Sequence, residues 1–393
     1  KKEYIDIAFM KKFDSVQSMP IHSIQENEIV ACRGCAAKIS DLTLKSALQQ
    51  VNLGKLGSHP EDSAFVASME SGRALVQSVD GFPALVSDPF LNARLTTLHA
   101  CSDLWASGAS VLSAQAIVTL PNVSKSIQQE LLIQILEGVK SALEPQGAQF
   151  IGGHTLESRS IPPENISLGI DISLCVNGVV NSRSGPWSKG GLEEGDDLLI
   201  SRPIGSGVLF AAAMEGAIAP ADWDAVLTYM KTSQHQVFDS LIAMEHKYLQ
   251  SRVVHAATDI TGFGLLGHIS EMIQSSNKKR LERDSPLLRI ELEAESIPSY
   301  SGAIALLSEG FSSTFAPSNR HFWDIMETSV GSPADVDLML GSIPMGSRKY
   351  HSIMELLVDP QTCGPLLISC SQDYSIELIE CGLWSKIGSI YKS

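Results

Sequence analysis

Cys32-Arg33-Gly34-Cys35, followed by Lys38, places two thiols and an ammonium in the nine-residue stretch ACRGCAAKI over residues 31–39. A thiolate at Cys35 and an ammonium at Lys38 would each favour the charged form of the other. The small residues Gly34, Ala36 and Ala37 leave the backbone free to close over a ligand, so the stretch reads as a chemically armed loop. Two blander readings stay open, half of a zinc site and a redox disulfide. A zinc site wants a second pair, and Cys101, Cys175, Cys363, Cys370 and Cys381 are scattered singly. A thioredoxin-type motif should follow a strand, whereas the polar run Gln25 to Glu28 precedes this one.

Carboxylates form the second chemical group. The runs Ser63 to Ser68 and Ala74 to Val79 alternate like strands around the turn residues Met69 to Arg73. A register symmetric about Ser71 sets Asp62 opposite Asp80, and like charges there call for something positive between them. Hard carboxylate oxygens suit Mg²⁺ or Ca²⁺ rather than zinc, although an aspartate also simply ends many strands. Asp103 falls in the last turn of a helix expected over Phe90 to Ala106, where a negative charge opposes the helix dipole. A cation there, or a pair with His99, would relieve it. Asp259 precedes the glycine-rich turn of HAATDITGFGLLGHISEMI and fits either a metal ligand or a helix N-cap. The turn expected at Gly152-Gly153-His154-Thr155 can offer backbone N–H groups to phosphate, or be no more than a tight turn.

The elements that must hold these groups are mixed. Helical spacing marks Leu42 to Leu53 and Ile127 to Leu143, with a break at Gly54 to Pro60 between the first helix and the first strand. Val111 to Leu120 reads as a buried strand, and Leu356 to Ser369 as a strand, a proline turn and a closing strand. Residues 276–296 read as charged and exposed, and residues 1–30 as a tail or linker. The Gly, Ser and charge of NSRSGPWSKGGLEEGD mark a domain boundary near residue 190. With 393 residues, 44% of them hydrophobic, the chain can bury two or three cores. A net charge of -15 argues against nucleic acid or an anionic membrane as partner. No apolar run is long enough to span a bilayer, and an odd count of 7 cysteines fits a reducing compartment, so a soluble cytoplasmic protein is expected.

Several separate motifs in order resemble the selenophosphate synthetase (selenide, water dikinase) family from about Cys32 to about Ser369. They are GCAAKI at Gly34, EDSAFV at Glu61, SVDGF at Ser78, DPFLNARLTTLHACSDLWASGA at Asp88 and GGHT at Gly152. TDITGFGLLGH at Thr258, GFSSTFAPSNR at Gly310 and DPQTCGPLL at Asp359 complete the set. The wider superfamily includes aminoimidazole-ribonucleotide synthetase, thiamine-monophosphate kinase and a hydrogenase-maturation enzyme. Departures are Ala37, where relatives often carry a second cysteine, Thr362-Cys363-Gly364-Pro365, where they often read TSGG, and the additional thiol of Cys32, which could pair with Cys35.

The resemblance implies conversion of ATP, selenide and water to selenophosphate, AMP and phosphate, with Mg²⁺. By position it makes Cys35 the catalytic thiol and Lys38 the essential lysine, with Asp62, Asp103 and Asp259 as magnesium ligands. Asp80 and Gly152, Gly153, His154 and Thr155 become nucleotide contacts, as does Lys38. It further implies an α+β fold of two domains like aminoimidazole-ribonucleotide synthetase, with first domains pairing into a β-barrel homodimer. The expected divisions are a linker and mobile Cys/Lys loop over 1–47, an ATP-binding domain over 48–185 and a second α+β domain over 186–393. An upstream flavin-dependent pyridine-nucleotide oxidoreductase, fused or separate, is part of the same analogy. The rival readings are another ATP-dependent small-molecule kinase or synthetase of the superfamily, and a non-catalytic nucleotide-binding regulatory module.

Overall fold

The computed structural model describes residues 32–51, 61–158, 169–181, 185–249, 251–326 and 334–393. The tail over 1–30 and the break from Gly54 to Pro60 lie outside the described residues. Helix α1 (Asp41–Gln50) starts where the Ser40 hydroxyl accepts the Thr43 N–H. The first sheet takes β1 (Ala64–Ser68), β2 (Ala74–Pro83), β3 (Ala109–Leu120), β4 (Gln149–Glu157) and β5 (Asp171–Val180), in the order β1-β2-β5-β3-β4. Between its strands run α2 (Pro89–Ala106) and α3 (Lys125–Leu143). Asp88 starts α2 by accepting the Leu91 N–H, with Pro89 at the first helical position, where its missing donor costs nothing. Leu131, Ile135, Val139 and Leu143 bury the stripe of α3. The crossover through α3 makes β3 and β4 parallel, and the other pairs of this sheet are antiparallel.

Beyond the glycine-rich connection come β6 (Asp196–Ile200), α4 (Ser206–Met214), α5 (Pro220–Lys231), α6 (His235–Lys247), β7 (Ala256–Asp259) and α7 (Gly264–Leu281). They are followed by β8 (Leu288–Glu293), α8 (Ala303–Glu309), α9 (Ala316–Asn319), β9 (Val336–Met339), α10 (Arg348–Val358), β10 (Leu366–Ser371), α11 (Gln372–Glu380) and β11 (Ser385–Lys392). The second sheet is ordered β7-β10-β6-β11-β8-β9. Every residue of β6 is buried, as expected for a strand covered on both faces. Among the described residues no helix is long and apolar enough to cross a membrane.

Five expectations change. The hairpin carries a bulge between Phe65 and Ala67, so Ala64 pairs with Gln77 and the register symmetric about Ser71 is lost. One extra residue shifts every pairing beyond it, and Asp62 does not face Asp80 across the strands. Gly152 and Gly153 do not turn the chain, because β4 runs straight through them beside Gln115 and Ala116. Gly153 has φ 156°, and a Cβ there would lie 1.9 Å from the Ala116 carbonyl oxygen, so the close approach requires glycine. The charged stretch 276–296 hides β8, where Leu288, Ile290 and Leu292 are fully buried and the charges alternate outward. Leu356 to Val358 closes α10 rather than forming a strand, an ambiguity inherent in a short apolar run. The strand β3 is buried on one face only.

Candidate functional site

Three elements deliver the site. Asp62 lies just ahead of β1, Asp103 in the last turn of α2, and Asp259 at the end of β7. One carboxylate oxygen from each comes within 4.8 Å of the others. The Ser78 hydroxyl donates to Asp103 at 2.5 Å, and the Ser102 hydroxyl donates to Asp259. Those hydroxyls orient the acids without neutralising them. Burial raises the Asp103 carboxyl well above the usual range, and the nearby Asp259, Asp80 and Asp62 carboxylates push the same way. Burial also raises Asp259, against the Ser102 hydrogen bond. Asp62 is pushed up to about 7 by burial, with Lys189 opposing and Asp259 adding to the rise. Buried carboxylates that destabilise one another in this way fit a hard divalent cation such as Mg²⁺, which takes oxygen ligands.

Asp80 stands apart. It pairs with Leu174 on β5, accepts the Gly81 N–H at 2.6 Å, and lies 3.2 Å from His99 Nε2. Burial works to raise its carboxyl, but His99, Lys38 and the Gly81 amide outweigh it and hold the value at about 2. His99 therefore pairs with Asp80. The Cys363 N–H donates to His99 Nδ1 at 3.2 Å, which leaves Nε2 as the donor toward Asp80 in the neutral ring. Cys363 has φ 50°, and its thiol donates to the Leu95 carbonyl, so the DPQTCGPLL segment steers a histidine of the first domain.

Asp259 does not cap a helix, since α7 begins at Gly264 behind Phe263. The Lys38 ammonium lies 5.1 Å from the centre of the Phe263 ring. Cys35 belongs to the 3₁₀ turn Gly34–Ala37, and its side chain lies outside the described residues. Cys32 is a free, buried thiol that accepts the Thr314 N–H at 3.4 Å, while its own N–H donates to Thr314 Oγ1 at 3.0 Å. The Gly152–Thr155 segment lies on β4, at the sheet edge opposite β1, and does not join the three aspartates within one chain.

Sequence reasoning missed several partners. Lys189 bridges Asp62 Oδ1 and Glu271 Oε2, each at 2.7 Å, and Thr258 donates to the same Asp62 oxygen at 3.2 Å. His268, pushed down to about 3 by burial, accepts the Thr261 N–H at 3.1 Å as a neutral ring. Ser78 and Ser102 sit beside motif residues and were legible only as neighbours, whereas nothing around Lys189 distinguishes it from other linker charges.

Residues 61–180 match the family described as AIR synthase related protein, N-terminal domain, and residues 193–383 match its C-terminal domain counterpart. The chain is 30% identical to a selenide, water dikinase of Clostridioides difficile, covering 90% of each protein. It is 28% identical to a selenide, water dikinase of Bdellovibrio bacteriovorus, covering 88% of each. Among solved structures it resembles AaThiL complexed with AMPPCP and TMP, with a TM-score of 0.59 and 17% identity over 90% of this chain and 91% of that one.

Proposed function

The chain belongs to the selenide, water dikinase family, and we propose that it uses Mg²⁺-bound ATP to convert selenide to selenophosphate, releasing AMP and phosphate. The convergence of Asp62, Asp103 and Asp259 from three separate elements carries this reading at the level of residues. These acids would hold Mg²⁺, which supplies the positive charge that a triphosphate needs during phosphoryl transfer. Ser78 and Ser102 keep the two innermost carboxylates aimed at a common point. Lys38 adds a mobile positive charge for the phosphates. Asp80, kept ionised by His99 and the Gly81 amide, is an acceptor for donor groups of the nucleotide. Cys35 receives or positions selenide, since its soft sulfur suits a chalcogen better than phosphorus does.

The homodimer belongs to the same proposal. The sheet face turned away from α2 and α3 leaves Val79 at 69%, Ile117 at 52% and Leu112 at 50% exposed. Large apolar side chains on one sheet face mark a docking surface, and a second copy paired across it covers that face. The Gly152–Thr155 edge then contacts nucleotide held by the partner's carboxylates. Light scattering should give twice the chain mass, and a monomer at working concentration would remove this part.

The decisive experiment is phosphorus NMR of ATP, Mg²⁺ and selenide with the protein under strict anaerobiosis. A selenium-coupled phosphorus resonance together with AMP is expected. AMP release that ignores selenide but responds to an amine or a phosphate ester would move the chain to another kinase of the superfamily. Cys35→Ser should lose selenide-dependent AMP formation while still binding ATP, and full activity in that variant would remove Cys35 from its role.

A further inference from the structure

Lys189 is only 6% exposed, an expensive place for an ammonium unless it is paired. Burial works to lower its proton affinity, and the adjacent Asp62 and Glu271 more than offset that. The contact is built from both sides. The Lys189 N–H donates to Glu61 at 2.9 Å and the Ser188 hydroxyl donates to the same carboxylate at 2.7 Å, so residues 188–189 grip the Glu61-Asp62 pair. Glu271, on α7, fixes the far side of the ammonium at 2.7 Å. Yet Asp62 is also one of the three acids whose oxygens converge. A carboxylate with an ammonium at 2.7 Å is a weakened ligand for a divalent ion, because two positive centres facing one group repel.

We propose that Lys189 is a resident counter-cation that acts through Asp62. In the nucleotide-free protein its ammonium competes with the divalent ion for that carboxylate, so the ion enters with the triphosphate rather than ahead of it. Lys189 is thus a positioning residue, and the proposal rests on the reading of Asp62, Asp103 and Asp259 as metal ligands.

The test is Mn²⁺ binding without nucleotide, followed by the electron paramagnetic resonance of the free ion at about pH 8.5, where the ordinary range for carboxyls is well exceeded. Lys189→Met, or Lys189→Gln should the first not fold, is expected to tighten Mn²⁺ at least about tenfold, or about 1.4 kcal/mol. Lys189→Arg, which keeps the charge, should restore affinity to within about threefold of the parent, or about 0.7 kcal/mol. In an Asp62→Asn background the Lys189 effect should vanish. Unchanged or weaker binding in both neutral variants overturns the proposal, as does equal tightening with Asp62 already replaced. Failure of the underlying metal reading looks different, because Asp259→Asn would then leave Mn²⁺ binding untouched with or without AMPPCP.

Discussion

Two groups of buried acids in this chain are treated in opposite ways. Asp196 and Asp197 open β6, and each has its own partners. His255 Nδ1 lies 2.9 Å from Asp196, which also accepts the Ser369 hydroxyl, while the Lys386 ammonium lies 2.7 Å from Asp197, which also accepts the Ser375 hydroxyl. Asp62, Asp103 and Asp259 face one another, with Lys189 on one of them and hydroxyls on the other two. Acids that serve the fold are matched within it. Acids left facing each other hold electrostatic energy that a ligand can release, which is why displaced proton affinities gather at working sites.

The contrast breaks most visibly at Asp259. Asp259→Asn should cut selenide-dependent AMP release by roughly a thousandfold or more, the scale of losing charge stabilisation in phosphoryl transfer. It should also raise the melting temperature of the metal-free protein, because one repelling charge has gone. A variant that loses activity and also melts lower would place Asp259 with the structural acids.

Lys386→Met examines the other side. Its ammonium is a third exposed, so solvent screening limits the loss to about 1–2 kcal/mol of unfolding free energy in urea, below the cost of breaking a fully buried pair. Turnover of the remaining folded protein should match the parent. Altered kinetics without lost stability would show that the two acid groups communicate.

The smallest effect is expected from pH. The folded Asp62 carboxyl, pushed up to about 7 by burial, is raised above its ordinary 3.8, and Asp359, buried behind the start of α4, is raised to about 7 as well. A raised carboxyl contributes stability that is complete below about pH 3.8 and is lost as pH climbs through about 7. The metal-free protein should therefore melt a few degrees higher at about pH 6 than at about pH 8. Mg²⁺ added together with AMPPCP should stabilise more at the higher pH, where protons no longer compete. Scanning calorimetry that shows a flat profile would contradict the raised carboxyls.

Two of the converging aspartates were legible because their motifs are local: Asp103 stands out against its helix dipole and Asp259 against a glycine-rich turn. The hairpin brought Asp62 into view for the wrong reason. A bulge at Phe65 to Ala67 shifts the register, and no residue type there announces it. Asp62 instead meets partners from α2 and β7, contacts that depend on how the two sheets dock. Lys189 was illegible for the same reason, since a lysine among glycines and serines reads as solvated until Asp62 and Glu271 close around it. The strand β8 was masked by composition, because its charged residues alternate with a buried Leu288, Ile290 and Leu292 that a tally of charge overlooks.

The distance along the chain between Ser102 and Asp259, which share a hydrogen bond 157 residues apart, has a consequence during synthesis. At roughly 5–20 residues per second, roughly ten to thirty seconds separate their emergence from the ribosome. Through that interval the first sheet exists without β7 to complete its trio of acids. A half-made polypeptide consequently carries two of the three carboxylates, and the cluster is completed only once β7 has been made and has docked.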